Sequence, residues 1–117
     1  MLYFDYEVVY YMRASGRVPV KDYVRDFDRD EREEIHASIK FLLKHEGKLL
    51  PPCVKHIYQK IWGLRIKYLH HHHRILYFIA PHRKIVLLSA FLKKTKKTPR
   101  SEIKKAYKYY FDYLSSL

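Results

Sequence analysis

The stretch Trp62–Lys97 reads WGLRIKYLHHHHRILYFIAPHRKIVLLSAFLKKTKK and contains three segments with the pattern of β-strands. In residues 62–68 the apolar side chains alternate with glycine and cations, among them Arg65 and Lys67. Alternate residues of a strand point to opposite faces of a sheet. This part of the chain therefore predicts a sheet with one apolar face and one cationic face.

Two further strands are predicted beyond the first. Residues 74–80 are apolar on both faces after the initial arginine, and residues 84–92 form a nearly continuous apolar run. Such a run is typical of a strand that is buried on both faces, so we expect 84–92 to be central in the sheet. The four histidines at 70–73 are interpreted as one turn and residues 81–83 as the next.

The remaining elements follow from periodicity and end signals. Residues 2–11 are rich in β-branched and aromatic side chains and predict a strand, whereas helical spacing predicts helices over about 20–27 and 29–45. Thr98 followed by Pro99 predicts the start of a last helix, with Thr98 as its N-cap. We therefore expect one α+β domain over residues 1–117: an N-terminal strand, a helical hairpin, an antiparallel sheet and a C-terminal helix.

The charge of the chain is concentrated in its second part. The 117 residues carry a formal net charge of +12. Residues 1–46 hold 8 basic and 10 acidic side chains, and residues 47–117 hold 16 basic and 2 acidic side chains. A field of this sign attracts polyanions, so RNA or a ribosome suits the chain better than a small metabolite.

The cysteine content and hydropathy point to the cytoplasm. Cys53 is the only cysteine, so no internal disulfide forms, which fits a reducing compartment. The N-terminal residues lack the layout of a signal peptide, and the longest apolar runs are too short to cross a bilayer. A cytoplasmic location is the expectation.

The first group of candidate site residues comprises Arg65, Lys67 and Arg74. The first two share one face of one strand, and a hairpin can bring Arg74 back beside them. Three converging cations would hold a phosphate and stabilise the extra negative charge of a five-coordinate phosphorus. The alternative is that they are ordinary solvent-facing residues of a half-exposed sheet.

A second group lies between the last predicted strand and the last helix. A run of like charges is usually a solvated loop, but the elements on either side hold the position of this one. It could bind a nucleic-acid backbone without reading its sequence. Its members are Lys93, Lys94, Lys96, Lys97 and Arg100.

The histidines and carboxylates offer weaker signals. Consecutive histidines in a turn cannot all face one ion, and no cysteine or carboxylate is expected nearby to complete a site, so no metal and no cofactor are expected. One of the histidines at 70–73, or His56, could transfer a proton.

The carboxylates do not predict a metal-dependent active site. Glu31, Glu33 and Glu34 are expected to stabilise the positive end of a helix dipole. The second half of the chain holds only Glu102 and Asp112, too few for a two-metal nuclease. A nuclease built on this chain would work without a metal.

Several short pieces, in this order and spacing, resemble type II toxins of the RelE/ParE superfamily, nearest to the HigB-like, phage-derived branch. The resemblance covers nearly the whole chain. The pieces are Pro19-Val20, Val54-Lys55, Gly63-Leu64-Arg65, Arg74-Ile75-Leu76-Tyr77, Phe91 to Pro99, Glu102-Ile103 and Ala106.

The resemblance implies a RelE-like fold and cleavage of mRNA in the ribosomal A site. The ribose 2′-hydroxyl would attack the adjacent phosphate and leave a 2′,3′-cyclic phosphate. By this resemblance Arg65, Lys67 and Arg74 are catalytic, while Lys55 and the lysines 93–97 contact RNA or the ribosome. No equivalent is visible of the C-terminal tyrosine or histidine that serves some members as acid or base.

Partners and alternatives also follow from the resemblance. It implies a small antitoxin, often with a helix-turn-helix, encoded by an adjacent gene. The same fold also serves ParE-like inhibitors of DNA gyrase, and a relative without activity would bind RNA and cut nothing. Fold does not separate these functions, because function depends on the site.

Overall fold

A computed structural model of the protein describes residues 5–117. Within them lie three helices and five strands. In chain order they are β1 Glu7–Tyr10, α1 Pro19–Arg25, α2 Arg29–Lys44, β2 Val54–Tyr58, β3 Ile61–Tyr68, β4 His71–Ala80, β5 Lys84–Leu92 and α3 Arg100–Ser115. The α+β prediction and the C-terminal helix are confirmed, and the part of the predicted first strand at residues 2–4 lies outside the described residues.

The five strands form one sheet in the order β1-β5-β4-β3-β2. Strands β3 to β5 pair antiparallel, as predicted. Strand β2 pairs antiparallel with β3, and β1 pairs parallel with β5 at the edge. The position of β5 between β1 and β4 confirms that it is an interior strand. Strand β2 was not predicted, because its five residues, VKHIY, are short and mostly exposed.

The sheet separates two apolar layers. The face that we call the hairpin face packs against α1 and α2, where Val20, Ile35 and Leu42 are fully buried. The opposite face, which we call the α3 face, packs against α3 through Ala106 and Tyr109. Strand alternation decides which core each residue joins. Ile75 and Tyr77 belong to the first layer, whereas Leu76 and Phe78 belong to the second.

The hairpin between β3 and β4 differs from the sequence interpretation. Tyr68 pairs with His71, so the loop consists of Leu69 and His70 alone, and His71–His73 belong to β4. The prediction of a four-histidine turn is therefore wrong. Two-residue hairpin loops require positive φ angles and favour Asn or Gly there. Leu69 takes up a φ of 52° without being either, so the sequence carried no turn signal at this point.

Helix α2 agrees with its predicted range, whereas α1 ends at Arg25 instead of near residue 27 and the start of α3 also differs from the prediction. Asp28 caps α2 by accepting a hydrogen bond from the backbone N–H of Glu31 at 3.0 Å. Helix α3 begins at Arg100 with Pro99 as its N-cap residue and no side-chain cap bond, so the prediction of Thr98 as the N-cap is one residue too early. No helix within residues 5–117 has the length and apolar character that crossing a membrane requires.

Candidate functional site

Cross-strand pairing brings the first group of predicted site residues together. Arg65 on β3 lies directly opposite Arg74 on β4, and Lys67 lies opposite His72. Directly opposed residues of an antiparallel pair project to the same face. All four therefore point to the α3 face, on the part of the sheet beyond the packed core of α3.

Arg74 is the buried member of this group. Only 6% of it is exposed, and its Nη1 donates a hydrogen bond to the backbone oxygen of His73 at 3.0 Å. Burial, followed by the charge of Arg65, lowers the pKa of Arg74. Arg65 and Lys67 are exposed. The pairing thus places one fixed guanidinium behind two solvent-accessible cations.

Two adjoining depressions open around these side chains. One has a volume of about 290 Å³ and is bounded by Arg65, Lys67, His72 and Arg74, together with Cys53 and its neighbours. The other, of about 420 Å³, shares Arg65, His72 and Arg74 with the first. It continues to residues 93–97 after β5, which we call the lysine loop. We call the two depressions together the cationic cleft.

Lys93 closes the cleft on the β5 side. Its backbone N–H donates to the oxygen of His72 at 2.7 Å, which extends the β4–β5 ladder by one residue. Burial, and then the charges of Arg74, Lys55 and Arg65, lower the pKa of Lys93. Lys55 of β2 is opposite Gly63 and so lies on the same face as Arg65. The four cations are therefore close enough for their charges to act on one another.

The lysine loop contributes only some of its predicted residues. Lys94 and Lys96 line the second depression beside Lys93. Thr95 holds the loop by donating its hydroxyl to the backbone oxygen of Lys97 at 2.8 Å. Lys97 and Arg100 are exposed but line neither depression of the cleft.

His72 is the histidine that the fold brings into the cleft, where it borders both depressions. His56, the other candidate for proton transfer, donates its Nε2–H to the oxygen of Gln59 at 2.6 Å and packs against Trp62. The sequence did not distinguish the members of the histidine run, because the run was expected to form a turn. Because β4 begins at His71, alternation of side chains places His72 on the same face of the sheet as Arg74.

The neighbouring histidines point the other way, to the hairpin face. His71 and His73 both donate hydrogen bonds of 2.6 Å to Oε2 of Glu31, a buried residue of α2. The premise that no carboxylate lies near the histidines is therefore wrong. The dipole role predicted for Glu31 is also incomplete, since its carboxylate holds β4 against α2.

The cleft can bind and polarise a phosphodiester. Two arginines and a lysine can each donate to phosphate oxygens, the arginines in the two-pronged way that a planar guanidinium allows. His72, exposed beside them, carries an imidazole, the side chain that most often serves as a general acid or base. The wall is open and shallow, which suits a polymer chain better than an enclosed small molecule.

Comparisons with known proteins identify the family of the chain. No curated protein matches it. The family described as "Phage derived protein Gp49-like (DUF891)" matches residues 22–110, which include α2, all the strands that form the cleft and most of α3. This family is related to the RelE/ParE-like toxins. The chain therefore belongs to the phage-derived Gp49-like family.

Proposed function

We propose that this protein is the toxin of a type II toxin–antitoxin system and cleaves mRNA on the ribosome, in the manner of the HigB-like branch. The observation that carries the proposal is the cationic cleft, in which His72 lies beside the opposed pair Arg65 and Arg74. Membership of a family related to RelE/ParE-like toxins supports it. The net charge of +12 also supports the proposal, since it favours association with the polyanionic ribosome.

The roles follow from the positions of the side chains. Arg74, fixed by its bond to the His73 carbonyl, and Arg65 opposite it would bind the non-bridging oxygens of the scissile phosphate. As the ribose 2′-oxygen attacks phosphorus, these guanidinium groups offset the charge that develops on the five-coordinate phosphorus. The 5′-oxygen of the next nucleotide leaves, and a 2′,3′-cyclic phosphate remains.

His72 is the proposed proton-transfer group. It borders both depressions of the cleft and is exposed, so its imidazole can reach either the attacking or the leaving oxygen. Lys67 lies across from it on β3 and would hold the phosphate that adjoins the reacting one. All these groups come from the chain itself, so the proposed reaction is metal-independent.

The backbone contacts extend beyond the reacting phosphate. Lys93, Lys94 and Lys96 border the cleft, and Lys55 lies on the other side of Arg65. Such contacts position RNA without reading its bases, so sequence preference would come from the ribosome-bound codon rather than from this loop. Lys97 and Arg100 would contact more distant phosphates or ribosomal RNA.

The proposal implies two partners and a compartment. In the cytoplasm the toxin would act on a translating ribosome. A small antitoxin, of helix-turn-helix type and encoded by an adjacent gene, would neutralise it. Co-expression with the neighbouring gene should restore growth to cells in which the toxin alone arrests it.

Primer extension on an mRNA translated in a purified system tests the activity. We expect new RNA 5′ ends that require both this protein and ribosomes. Arg65→Glu should abolish them, and His72→Gln should reduce the rate by about 10²- to 10⁴-fold. Arg25→Glu is the matched control, because it makes the same charge change on α1, far from the cleft in sequence and 73% exposed.

Three results would count against the proposal. Undiminished cleavage by both folded cleft variants would show that the site is wrong. Intact mRNA together with stabilised DNA breaks would identify a ParE-like gyrase inhibitor. RNA binding with steep salt dependence and no cleavage under any condition would identify an inactive relative.

A further inference from the structure

A second cluster lies on the hairpin face of β4, behind the cleft. His71 and His73 are two residues apart on one strand, so both project to this face, where Glu31 of α2 meets them. Oε2 of Glu31 lies 2.6 Å from Nδ1 of His71 and 2.6 Å from Nε2 of His73. The three donor atoms lie within 4.8 Å of one another.

Two of the three residues are enclosed by protein. His73 is fully buried, Glu31 is 4% exposed, and the side chain of His71 is 45% exposed. A buried carboxylate without compensation is unfavourable by several kcal/mol, so it is normally paired with a cation or bound to a metal. Within residues 5–117 the ion-pair partners of Glu31 are these two histidines, which carry no charge when their rings are neutral.

The surroundings of the cluster are acidic in an otherwise basic protein. The N-cap and first turns of α2 place four carboxylates near Tyr68, the residue opposite His71 in the sheet: Asp28, Asp30, Glu31 and Glu34. These acidic side chains belong to the part of the chain that has more carboxylates than cations. The local potential therefore attracts a positive ion, whereas the opposite face of the same strand attracts an anion.

The ring of His73 is oriented as a metal ligand would be. Its Nδ1 lies 2.6 Å from the hydroxyl of Tyr23 on α1, and the two rings meet edge to face. Without an ion, Nε2 of His73 donates its hydrogen to Glu31. When a metal displaces that proton and Nδ1–H donates to the Tyr23 hydroxyl, Nε2 presents its lone pair to the ion. Outer hydrogen bonds of this kind fix the tautomer and ring orientation of histidines at metal sites.

From this geometry we propose that Glu31, His71 and His73 bind one divalent transition-metal ion, with Zn²⁺ as the best-fitting ion. Zinc takes nitrogen and carboxylate oxygen ligands at about 2.0–2.2 Å, so its tetrahedral ligands stand about 3.3 Å apart. The two contacts of 2.6 Å would widen by about 0.7 Å on binding. The half-exposed His71 gives the ion a path of entry and leaves the fourth position to water.

The site would join α2 to β4 and is independent of the proposed cleavage. Its ligands project to the hairpin face, while Arg74 and His72 project to the α3 face. The ion would therefore not touch RNA in the cleft. It would stabilise the fold, because metal binding to the folded state alone raises the stability of that state.

Titration of the full chain with ZnCl₂, without a polyhistidine tag and after removal of metal by chelator, tests the proposal. We expect one ion per chain by calorimetry and, with Co²⁺ as a spectroscopic substitute, the strong visible absorption of a four-coordinate site. His71→Gln and Glu31→Gln should weaken Zn²⁺ binding by at least about tenfold. The Tm of the parent should rise with Zn²⁺, and the Tm of these variants should not.

His72→Gln is the matched control, because it removes a neighbouring histidine from the same run on the other face of the strand. It should keep both the Zn²⁺ affinity and the Tm increase of the parent. Equal affinities of His71→Gln and His72→Gln would overturn the proposal, since the ion would then bind the run without Glu31. The absence of saturable binding by the parent would overturn it as well. Neither outcome bears on mRNA cleavage, which is measured separately.

Discussion

The directly opposed cations Arg65 and Arg74 should destabilise the fold that carries them. Arg65 contributes to lowering the pKa of Arg74 and also that of Lys93, in each case after burial, so its charge is unfavourable to both neighbours. Like charges directly opposite on a sheet reduce stability. We therefore predict that Arg65→Gln, which keeps most of the side chain and removes its charge, raises the free energy of unfolding.

The magnitude follows from Coulomb's law. Arg65 is exposed, so the dielectric constant of water applies. The directly opposed Arg74 is about 5 Å away, and Lys93, which continues β5 two strands from β3, is about 10 Å away. The repulsion is then about 0.8 kcal/mol with Arg74 and about 0.4 kcal/mol with Lys93, or about 1.2 kcal/mol together. Screening leaves about 1 kcal/mol at 10 mM salt and about 0.5 kcal/mol at 0.15 M. For a chain of this length these values correspond to Tm increases of about 4 °C and 2 °C.

Urea denaturation at the two salt concentrations measures the effect. Arg25→Gln is the control with an equal change of net charge, because Arg25 is in a favourable pair with Asp22 at 2.9 Å and lies in the last turn of α1. It should leave stability unchanged or lower it by a few tenths of a kcal/mol. The reasoning is refuted if the free energy of unfolding of Arg65→Gln is no higher than that of the parent. It is also refuted if the increase is as large at high salt as at low salt. The same variant should lose mRNA cleavage, which would show a site maintained at the expense of stability.

Three further outcomes are expected from the packing. Tyr11→Phe removes the hydrogen bond of 2.6 Å that its hydroxyl donates to Asp112 on α3, and should lower the free energy of unfolding in urea by about 1 kcal/mol with an unchanged m-value. Leu87→Ala, at a fully buried site of β5, should lower it by about 3 kcal/mol, whereas Leu50→Ala, at a site 79% exposed, should change it by less than about 0.5 kcal/mol. Burial raises the pKa of Tyr77 to about 12 from the ordinary 10.0, so the stability it contributes is complete below pH 10 and is lost as the pH rises through about 12; urea midpoints at pH 9 and 11 should fall less in Tyr77→Phe than in the parent.

Elements with a clear period were predictable from the sequence. Ile35, Ile39 and Leu42 keep helical spacing, and all three are buried in α2. The alternation of Leu64 and Ile66 with Arg65 and Lys67 in β3 likewise appears as buried and exposed positions. In both cases one stripe of side chains must leave water, which fixes the element and its orientation together.

What could not be predicted depends on contacts between distant parts of the chain. The parallel pairing of β1 with β5 joins segments more than 70 residues apart, and nothing local specifies it. Glu31 meets His71 and His73 only because α2 packs on the hairpin face of the sheet. A hairpin loop without Gly or Asn concealed where β4 begins. The proximity of Arg65 and Arg74 was predictable, since it required only that the two strands form a hairpin. The choice of His72 among the histidines required the residue-by-residue register of β3 against β4.

The residues of the cleft lie partly on paired strands and partly on a loop, and these two settings tolerate sequence change to different degrees. Arg65, His72 and Arg74 stand on strands whose positions are set by ladder hydrogen bonds on both sides. Lys94 and Lys96 stand on a connecting loop, where substitutions and changes of length are tolerated. Under the proposed function, the loop could diverge to suit different ribosomes or antitoxins while the residues proposed to hold the phosphate stay in place. Relatives with similar chemistry and different targets would be expected to differ first after β5.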